Sequence, residues 1–157
     1  MGRRIVTAGA LAAVVLFCAL TATLSATAAT CRPTLGDPFG PFGRGAPPER
    51  ARIGTGHVLT GVVLSSLDCK PIGHARVELW QAGKSGSYTQ KTSATVFTTL
   101  AGRFRFLGPF PTAYEGRPGH IHLRVTAEAH KQLLLRVVPR PGAKQSSVRI
   151  VLEADDL

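Results

Sequence analysis

Two histidines and two tyrosines in the second half of this sequence could together hold a metal ion. His120 and His122 flank Ile121 in a segment that alternates polar and apolar residues. Side chains at i and i+2 of a strand project from one face, so both imidazoles should point one way and Ile121 into the core. Tyr114 stands six residues before His120, and Tyr88 is the only other tyrosine. By itself an H-x-H triplet is more often a pair of ordinary surface histidines, but the nearby tyrosines favour a metal site.

Neither tyrosine lies within a predicted strand, where a structural tyrosine is expected. Tyr88 occurs in a long loop, 83–94, and Tyr114 in a segment rich in Gly and Pro, 111–119. Long loops in compact domains are often functional. Zinc sites are built from Cys, His and carboxylates, and no such set is present. Phenolate is a hard ligand, and Fe(III), or Fe(3+), can displace its proton, whose usual pKa is about 10. Copper would gain less from two tyrosinates, so the set favours Fe(3+).

Length and composition limit the architecture that must position these residues. The 157 residues suffice for one ordinary domain, and 44% are hydrophobic, which is enough for a core. The 17 Gly and 11 Pro indicate many turns rather than long helices. Six or so short strands, separated by turn residues, predict an all-β sandwich or barrel. We expect its domain to span 56–157, after an extended Pro/Gly-rich arm, 31–55.

The strand pattern makes further local predictions. Segments 96–100 and 103–106 flank Ala101-Gly102 like a hairpin, and 133–138 and 148–152 surround a Pro-Arg-Pro-Gly turn. Segment 127–134 is the only helical candidate. Trp80 is expected to pack in the core beneath the site, and Glu78 and Glu115 are candidates for hydrogen bonds around it. The remaining histidines lack partners at ligand spacing and are interpreted as surface residues: His57, His74 and His130.

Residues 1–30 are typical of an export signal. Arg3 and Arg4 precede an apolar run, 5–20, and small residues at 26–28 offer a cleavage site. An uncleaved membrane anchor is the alternative. The paired arginines match a twin-arginine signal only in part, so export by that route or by the general route stays open. We expect a secreted protein with no membrane attachment after cleavage.

Two cysteines, Cys31 and Cys69, follow the predicted signal. In an exported chain they favour one disulfide, which the loop-entropy model values at about 3–4 kcal/mol. Lipidation of Cys31 is the rival, but residues 28–30 make a poor lipobox. Without Arg3 and Arg4, 17 basic residues face 9 acidic ones, a net charge of about +8. That charge suits anionic polymers or aromatic acids, or serves solubility alone, and no basic run is typical of a nucleic-acid-binding arm.

Several motifs together carry a family resemblance. In chain order they are ARVELWQA at 75–82, GSY at 86–88, FTT at 97–99, GRFRF at 102–106 and YEGRPGHIH at 114–122. This order resembles the intradiol ring-cleavage dioxygenases, which include catechol, hydroxyquinol and protocatechuate 3,4-dioxygenases. CRPT at 31–34, GPF at 40–42 and CKPI at 69–72 resemble the short secreted members. The match covers roughly residues 31–125.

The resemblance implies a β-sandwich of short, mostly antiparallel strands that holds non-haem Fe(3+). Tyr88 and His120 would be equatorial ligands, and Tyr114 and His122 axial ones, with Tyr114 displaced by substrate. A small aromatic diol and O₂ would react to give a cis,cis-muconate-type diacid. Arg117 matches the family arginine that stabilises negative charge on the substrate.

Two points remain open within this resemblance. Arg136 stands where the family usually has Gln, so it could pair with a substrate carboxylate, close the pocket or face solvent. The strand pattern also resembles transthyretin-like and carboxypeptidase-regulatory β-sandwiches, which bind or act as spacers. A third hypothesis is a family member that binds iron without turnover. Substrate identity and oligomeric state are not determined by the sequence, and no nucleic-acid partner is expected.

Overall fold

The computed structural model describes residues 31–37 and 45–156, together with Gly2. The rest of the predicted export signal lies outside the described residues. The described part contains one short 3₁₀ helix, Gln90–Thr92. It also contains seven strands: β1 (His57–Ser65), β2 (Arg76–Gln81), β3 (Ser93–Phe97), β4 (Arg103–Gly108), β5 (Ile121–Thr126), β6 (Leu133–Val137) and β7 (Gln145–Leu152).

The strands form two sheets that pack face to face. One has three strands in the order β4-β1-β7, and the other has four in the order β3-β2-β5-β6. Every pairing is antiparallel except the one between β1 and β7. The predicted β-sandwich of short, mostly antiparallel strands is therefore confirmed.

Period-two alternation decides which face of each strand is buried. Along β5, Ile121, Leu123 and Val125 are at most 1% exposed and lie in the core. Their counterparts in the three-stranded sheet include Leu59 and Phe106, which are equally buried. Because Ile121 faces the core, the residues on either side of it must face outward. The histidine pair therefore lies on the outer face of the four-stranded sheet, as the alternation predicted.

The predicted hairpin across Ala101-Gly102 is wrong. β3 pairs with β2, whereas β4 pairs with β1, so the turn between them crosses from one sheet to the other. That turn is closed by hydrogen bonds from the Gly102 amide to the Thr99 carbonyl and from the Thr99 amide to the Arg103 carbonyl. β6 and β7 also belong to different sheets. A tight turn fixes chain reversal, but each strand pairs where its apolar face meets the core. Segment 127–134 contains no helix and leads into β6.

The N-terminal arm covers the open edges of the sandwich. Residues 31–37 lie along β7 and β6, where the Thr34 amide donates to the Val151 carbonyl and the Asp37 amide to the Leu134 carbonyl. Residues 48–53 lie along β3 and β4, through bridges from Glu49 and Arg52. Unpaired strand edges promote aggregation, and an irregular covering segment blocks that pairing. The expected disulfide, Cys31–Cys69, is present and holds the start of this arm.

The three other histidines differ in their surroundings. His57 is 2% exposed, and its Nδ1–H donates to the Ala143 carbonyl at 2.8 Å, so its interpretation as a surface residue is wrong. Its ring stands edge-on to Phe110. His74 is exposed, and His130 is half-buried with Nε2 2.9 Å from the Ser65 hydroxyl. Within residues 31–37 and 45–156, no helix has the length and hydrophobicity that crossing a bilayer requires.

Candidate metal centre

The two imidazoles of the H-x-H segment converge on the outer face of the four-stranded sheet. The Nε2 atoms of His120 and His122 are 3.0 Å apart, and the residues are 2% and 7% exposed. His120 Nδ1 lies 2.8 Å from the Pro118 carbonyl oxygen, which can only accept a hydrogen bond. Nδ1 therefore carries the proton, and the Nε2 lone pair points towards His122. Two nitrogens that face each other this closely can share a proton or bind one cation.

The two tyrosines reach the same place from separate loops. Their phenol oxygens, Tyr88 Oη and Tyr114 Oη, are 2.6 Å apart. The ring centroid of Tyr88 is 5.7 Å from that of His122, and the Tyr114 centroid is 5.6 Å from that of His120. Tyr88 and His122 are 34 residues apart in the sequence, and only the fold brings their rings together. Four donor groups thus occupy one partly buried patch.

The electrostatics of this patch favour the neutral forms of Tyr88 and His122. Burial, followed by the hydrogen bond and the charge of Tyr114, raises the pKa of Tyr88 above its ordinary value. Burial, followed by the charges of His120 and Arg136, lowers the pKa of His122 to about 4. A neutral imidazole offers a lone pair to a cation. The charge of a bound cation would in turn stabilise the phenolate form, which burial disfavours.

The chemistry of this donor set fits ferric iron. No group of three or more Cys, His, Asp or Glu side chains that could hold a metal occurs among residues 31–37 and 45–156, so this part of the chain offers no site of the zinc type. The two imidazoles and two phenols would have to act together. Phenolate oxygens favour a hard trivalent ion. Tyr88, Tyr114, His120 and His122 are therefore the residues that would hold Fe(3+).

A tight turn explains the spacing of Tyr114 and Arg117. The two residues form an isolated antiparallel bridge, with amide-to-carbonyl hydrogen bonds of 3.2 and 2.9 Å in the two directions. Glu115 and Gly116 between them have φ angles of +50° and +72°. Positive φ at both central residues is typical of a type I′ turn. The turn places Arg117 beside the tyrosine, and its charge acts to lower the pKa of both Tyr88 and His122.

An arginine that the sequence analysis missed supports the Tyr88 loop. Arg50, in the arm, donates through Nε and Nη2 to the Ser93 carbonyl at 3.1 and 2.8 Å, and Nη2 also contacts the Gln90 carbonyl. These carbonyls flank the 3₁₀ helix that follows Tyr88. A Thr89 capping box closes the start of that helix. Nothing in the sequence around Arg50 indicated this partner, because the two segments are 40 residues or more apart.

Arg136 lies beside the centre but is held by an acidic partner. It is the cross-strand neighbour of His122, so both side chains lie on one face of the sheet. Its guanidinium forms an ion pair with Asp37 of the arm. Substrate binding by Arg136 thus stays a prediction, and a substrate anion would compete with Asp37. The sequence analysis did not include Asp37, which has no motif around it.

Trp80 and Glu78 form the layer next to the centre. Trp80 is buried, as predicted, but on the outer face, as the other cross-strand neighbour of His122. Arg124 stacks over it, with Cζ 5.1 Å from the ring centroid. Glu78 is 3% exposed and forms ion pairs with Arg124 and, at 3.3 Å, Arg76. Glu78 therefore holds Arg124 over the tryptophan.

Gly119 allows the Tyr114 loop to fold back on itself. A Cβ atom at this position would lie 2.0 Å from the Pro111 carbonyl oxygen. We expect Gly119→Ala to force the loop open, lower the free energy of unfolding by about 3 kcal/mol and weaken iron binding. Denaturant titration and iron content per chain would measure both effects.

Gly83→Ala is the matched control, in the loop that carries the other tyrosine. Its added Cβ would meet the Ser87 carbonyl oxygen and Thr92 Cγ2 at 3.4 Å, which is close to ordinary contact. We expect this variant to lose less than about 1 kcal/mol. Equal losses for the two glycines would contradict the steric role of Gly119.

Comparison with known proteins identifies this architecture. No protein-family model matches the sequence, and a search of curated proteins found no match either. One similar solved structure is the dioxygenase domain of a dioxygenase–carbohydrate-binding protein fusion from Streptomyces sp. SirexAA-E. It matches with a TM-score of 0.68 and 21% identity, and the match covers 78% of this chain and 99% of that one.

Two further structures show the same likeness. An intradiol ring-cleavage dioxygenase from Tetranychus urticae matches with a TM-score of 0.57 and 25% identity, over 63% of this chain and 61% of that one. Hydroxyquinol 1,2-dioxygenase from Pseudomonas putida DLL-E4 matches with a TM-score of 0.61 and 17% identity, over 80% and 67%. The resemblance seen in the motifs is thereby confirmed, and the chain has the fold of the intradiol ring-cleavage dioxygenases.

Proposed function

We propose that this protein is an exported non-haem Fe(III) dioxygenase that cleaves catechol-type diols with O₂ to cis,cis-muconate-type diacids. The observation that carries the proposal is the convergence of two phenols and two imidazoles from three separate segments. A spacer or binding module of similar fold has no need of four metal donors in one patch. The names of the similar structures support the same reaction class.

Each residue of the candidate metal centre has its own proposed role. Tyr88 and His120 would hold the ion throughout, and His120 is fixed in its tautomer by the Pro118 carbonyl. When bound, Fe(3+) supplies the charge that makes the diol a chelating dianion and activates it towards O₂. Tyr114 stands on a turn rather than in a strand, and its Oη would accept a proton from the diol.

Positive charge surrounds the substrate position. Arg117, beside Tyr114, would stabilise negative charge that develops on the substrate as the ring opens. Arg136, beside His122, would compensate a second anionic group once Asp37 releases it. The candidate metal centre is therefore suited to catechols that carry or acquire negative charge.

Export is the remaining part of the proposal. The Arg3-Arg4 pair, the apolar run and the small residues that follow support it. The Cys31–Cys69 disulfide agrees with it, because disulfides persist mainly in oxidising compartments. We propose secretion, with the diol substrate met outside the cell.

Iron reconstitution tests the proposed function. We expect one ferric ion per chain, a burgundy tyrosinate-to-iron charge-transfer band, and oxygen uptake with at least one of catechol, hydroxyquinol and protocatechuate. A colourless protein that takes up no iron would favour the binding module instead. Iron binding and colour without oxygen uptake on any of the three diols would favour the iron-binding protein without turnover.

A further inference from the structure

The outer face of the three-stranded sheet carries four arginines. Arg103 and Arg105 point outward from β4, because Phe104 and Phe106, which alternate with them along the strand, are buried. Arg149 points outward from β7, and Arg52 extends the row through its bridge to β4. We call these four arginines, with the outward residues between them, the basic face. It lies on the sheet opposite to the one that carries the candidate metal centre.

Within residues 31–37 and 45–156, no ion pair balances this charge. β1, β4 and β7 contain no Asp or Glu. None of the ion pairs recorded for the described residues involves any of the four arginines. A sheet face needs no such charge for folding, and four like charges repel each other, so the arrangement fits an anionic partner.

The strand register fixes the spacing of these charges. Arg103 and Arg105 are two residues apart on one strand, which separates them by about 7 Å. Arg103 and Arg149 flank Val62 in one cross-strand row, about 10 Å apart. In the next row, Thr60 and Ser147 offer hydroxyl groups. The face thus alternates guanidinium groups, which match carboxylates in a bidentate manner, with hydroxyl groups.

A depression of about 330 Å³ lies at the β4 side of this face. Thr60, Arg103 and Arg105 line it together with Gly61 and Phe104 of the same sheet. Thr99 and Phe97 complete the lining from the end of β3 in the other sheet, and Phe97 is 44% exposed although Arg76 Cζ lies 5.8 Å from its ring centroid. An exposed aromatic ring suits the C–H face of a sugar, while the arginines and hydroxyl groups suit a sugar carboxylate and its neighbouring hydroxyls. The depression therefore offers the kinds of contact that a uronic acid ring can use.

We propose that the basic face binds a linear acidic polysaccharide, with one uronate ring in this depression. Single-stranded nucleic acid would need successive aromatic stacking partners, and Phe97 is the one exposed aromatic residue lining the depression. A membrane would need protruding apolar side chains, whereas Val58, Val62 and Leu64 on this face are half-buried. This role is independent of the proposed catalysis and would keep the protein close to a polymer surface.

Binding of polygalacturonate by the full chain tests the proposal. We expect measurable binding at low salt that weakens at least about 10-fold between 50 and 300 mM NaCl, and no binding to the fully methyl-esterified polymer. Arg103→Ala/Arg105→Ala should weaken binding at least about 10-fold, because two charge-assisted contacts are lost. Lys84→Ala/Lys91→Ala removes the same charge from the loop between β2 and β3 and should change binding less than about 2-fold.

A charge-conserving variant separates recognition from bulk attraction. Arg103→Lys/Arg105→Lys keeps the charge but loses the guanidinium fork, and we expect a loss between that of the alanine variant and none. Equal losses in the lysine-loop control and the arginine variant, or wild-type affinity in the Arg-to-Lys variant, would overturn the proposal. Tighter binding to single-stranded DNA or to phosphatidylglycerol vesicles than to polygalacturonate would overturn it as well.

Discussion

Replacement of Tyr88 or Tyr114 by phenylalanine is expected to shift or bleach the visible band of the iron-loaded protein and to lower turnover more than about 100-fold. Residues that merely orient metal ligands already account for 10–100-fold effects, and a ligand itself should exceed them. Phenylalanine keeps the ring, so the contacts of the tyrosine rings with His122 and His120 are retained. Absorbance and oxygen uptake, measured at equal iron content, provide the check.

The result of this experiment can be assigned to two residues, because the chain has only two tyrosines. Tyr88 and Tyr114 are the only tyrosines in the chain, so the double phenylalanine variant has no source of tyrosinate-to-iron charge transfer. It should remain colourless whatever iron it retains. Ser87→Ala is the control, because it removes a hydroxyl from the loop that carries Tyr88. That hydroxyl lies 2.7 Å from the Ser85 hydroxyl, and its loss should leave colour and turnover unchanged. A coloured double variant would exclude both phenols as ligands.

The second large effect is expected at Arg117. Arg117→Met keeps the length of the side chain but removes the charge beside Tyr114, and we expect kcat to fall about 100- to 1000-fold. The four proposed iron ligands are untouched, so the visible band of the resting protein should persist. Arg117→Lys should recover part of the rate, because its ammonium keeps the charge but not the planar fork.

Steady-state kinetics distinguish the possible roles of this arginine. A fall in kcat at nearly constant KM indicates stabilisation of charge that develops during the reaction, whereas a rise in KM alone would indicate substrate binding only. Arg140→Met, on the exposed turn before β7, removes an equal charge far along the chain and should change neither constant. Unchanged kcat in Arg117→Met would refute its catalytic role.

Strand alternation made much of the fold predictable from the sequence. The polar and apolar residues of β5 alternate so regularly that the outward direction of His120 and His122 follows from Ile121 alone. The same reasoning identified β2 and the short strands in general. It failed at the turn after β3, because a turn sequence specifies reversal of the chain but not the sheet in which the next strand finds its partner. His57 likewise gave no local indication that it is buried.

The sequence by itself determined which candidate donor side chains the chain carries, that Tyr114 lies outside a strand, and the face on which the two imidazoles lie. Those features depend on residue type and on spacings of two or three residues, which local backbone geometry fixes. Only the tertiary structure decided that Tyr88 meets Tyr114, that Asp37 holds Arg136, that Arg50 supports the Tyr88 loop, and that four arginines share one sheet face. These contacts join segments far apart in the chain, and they form because burial of the two apolar sheet faces fixes the strand order first.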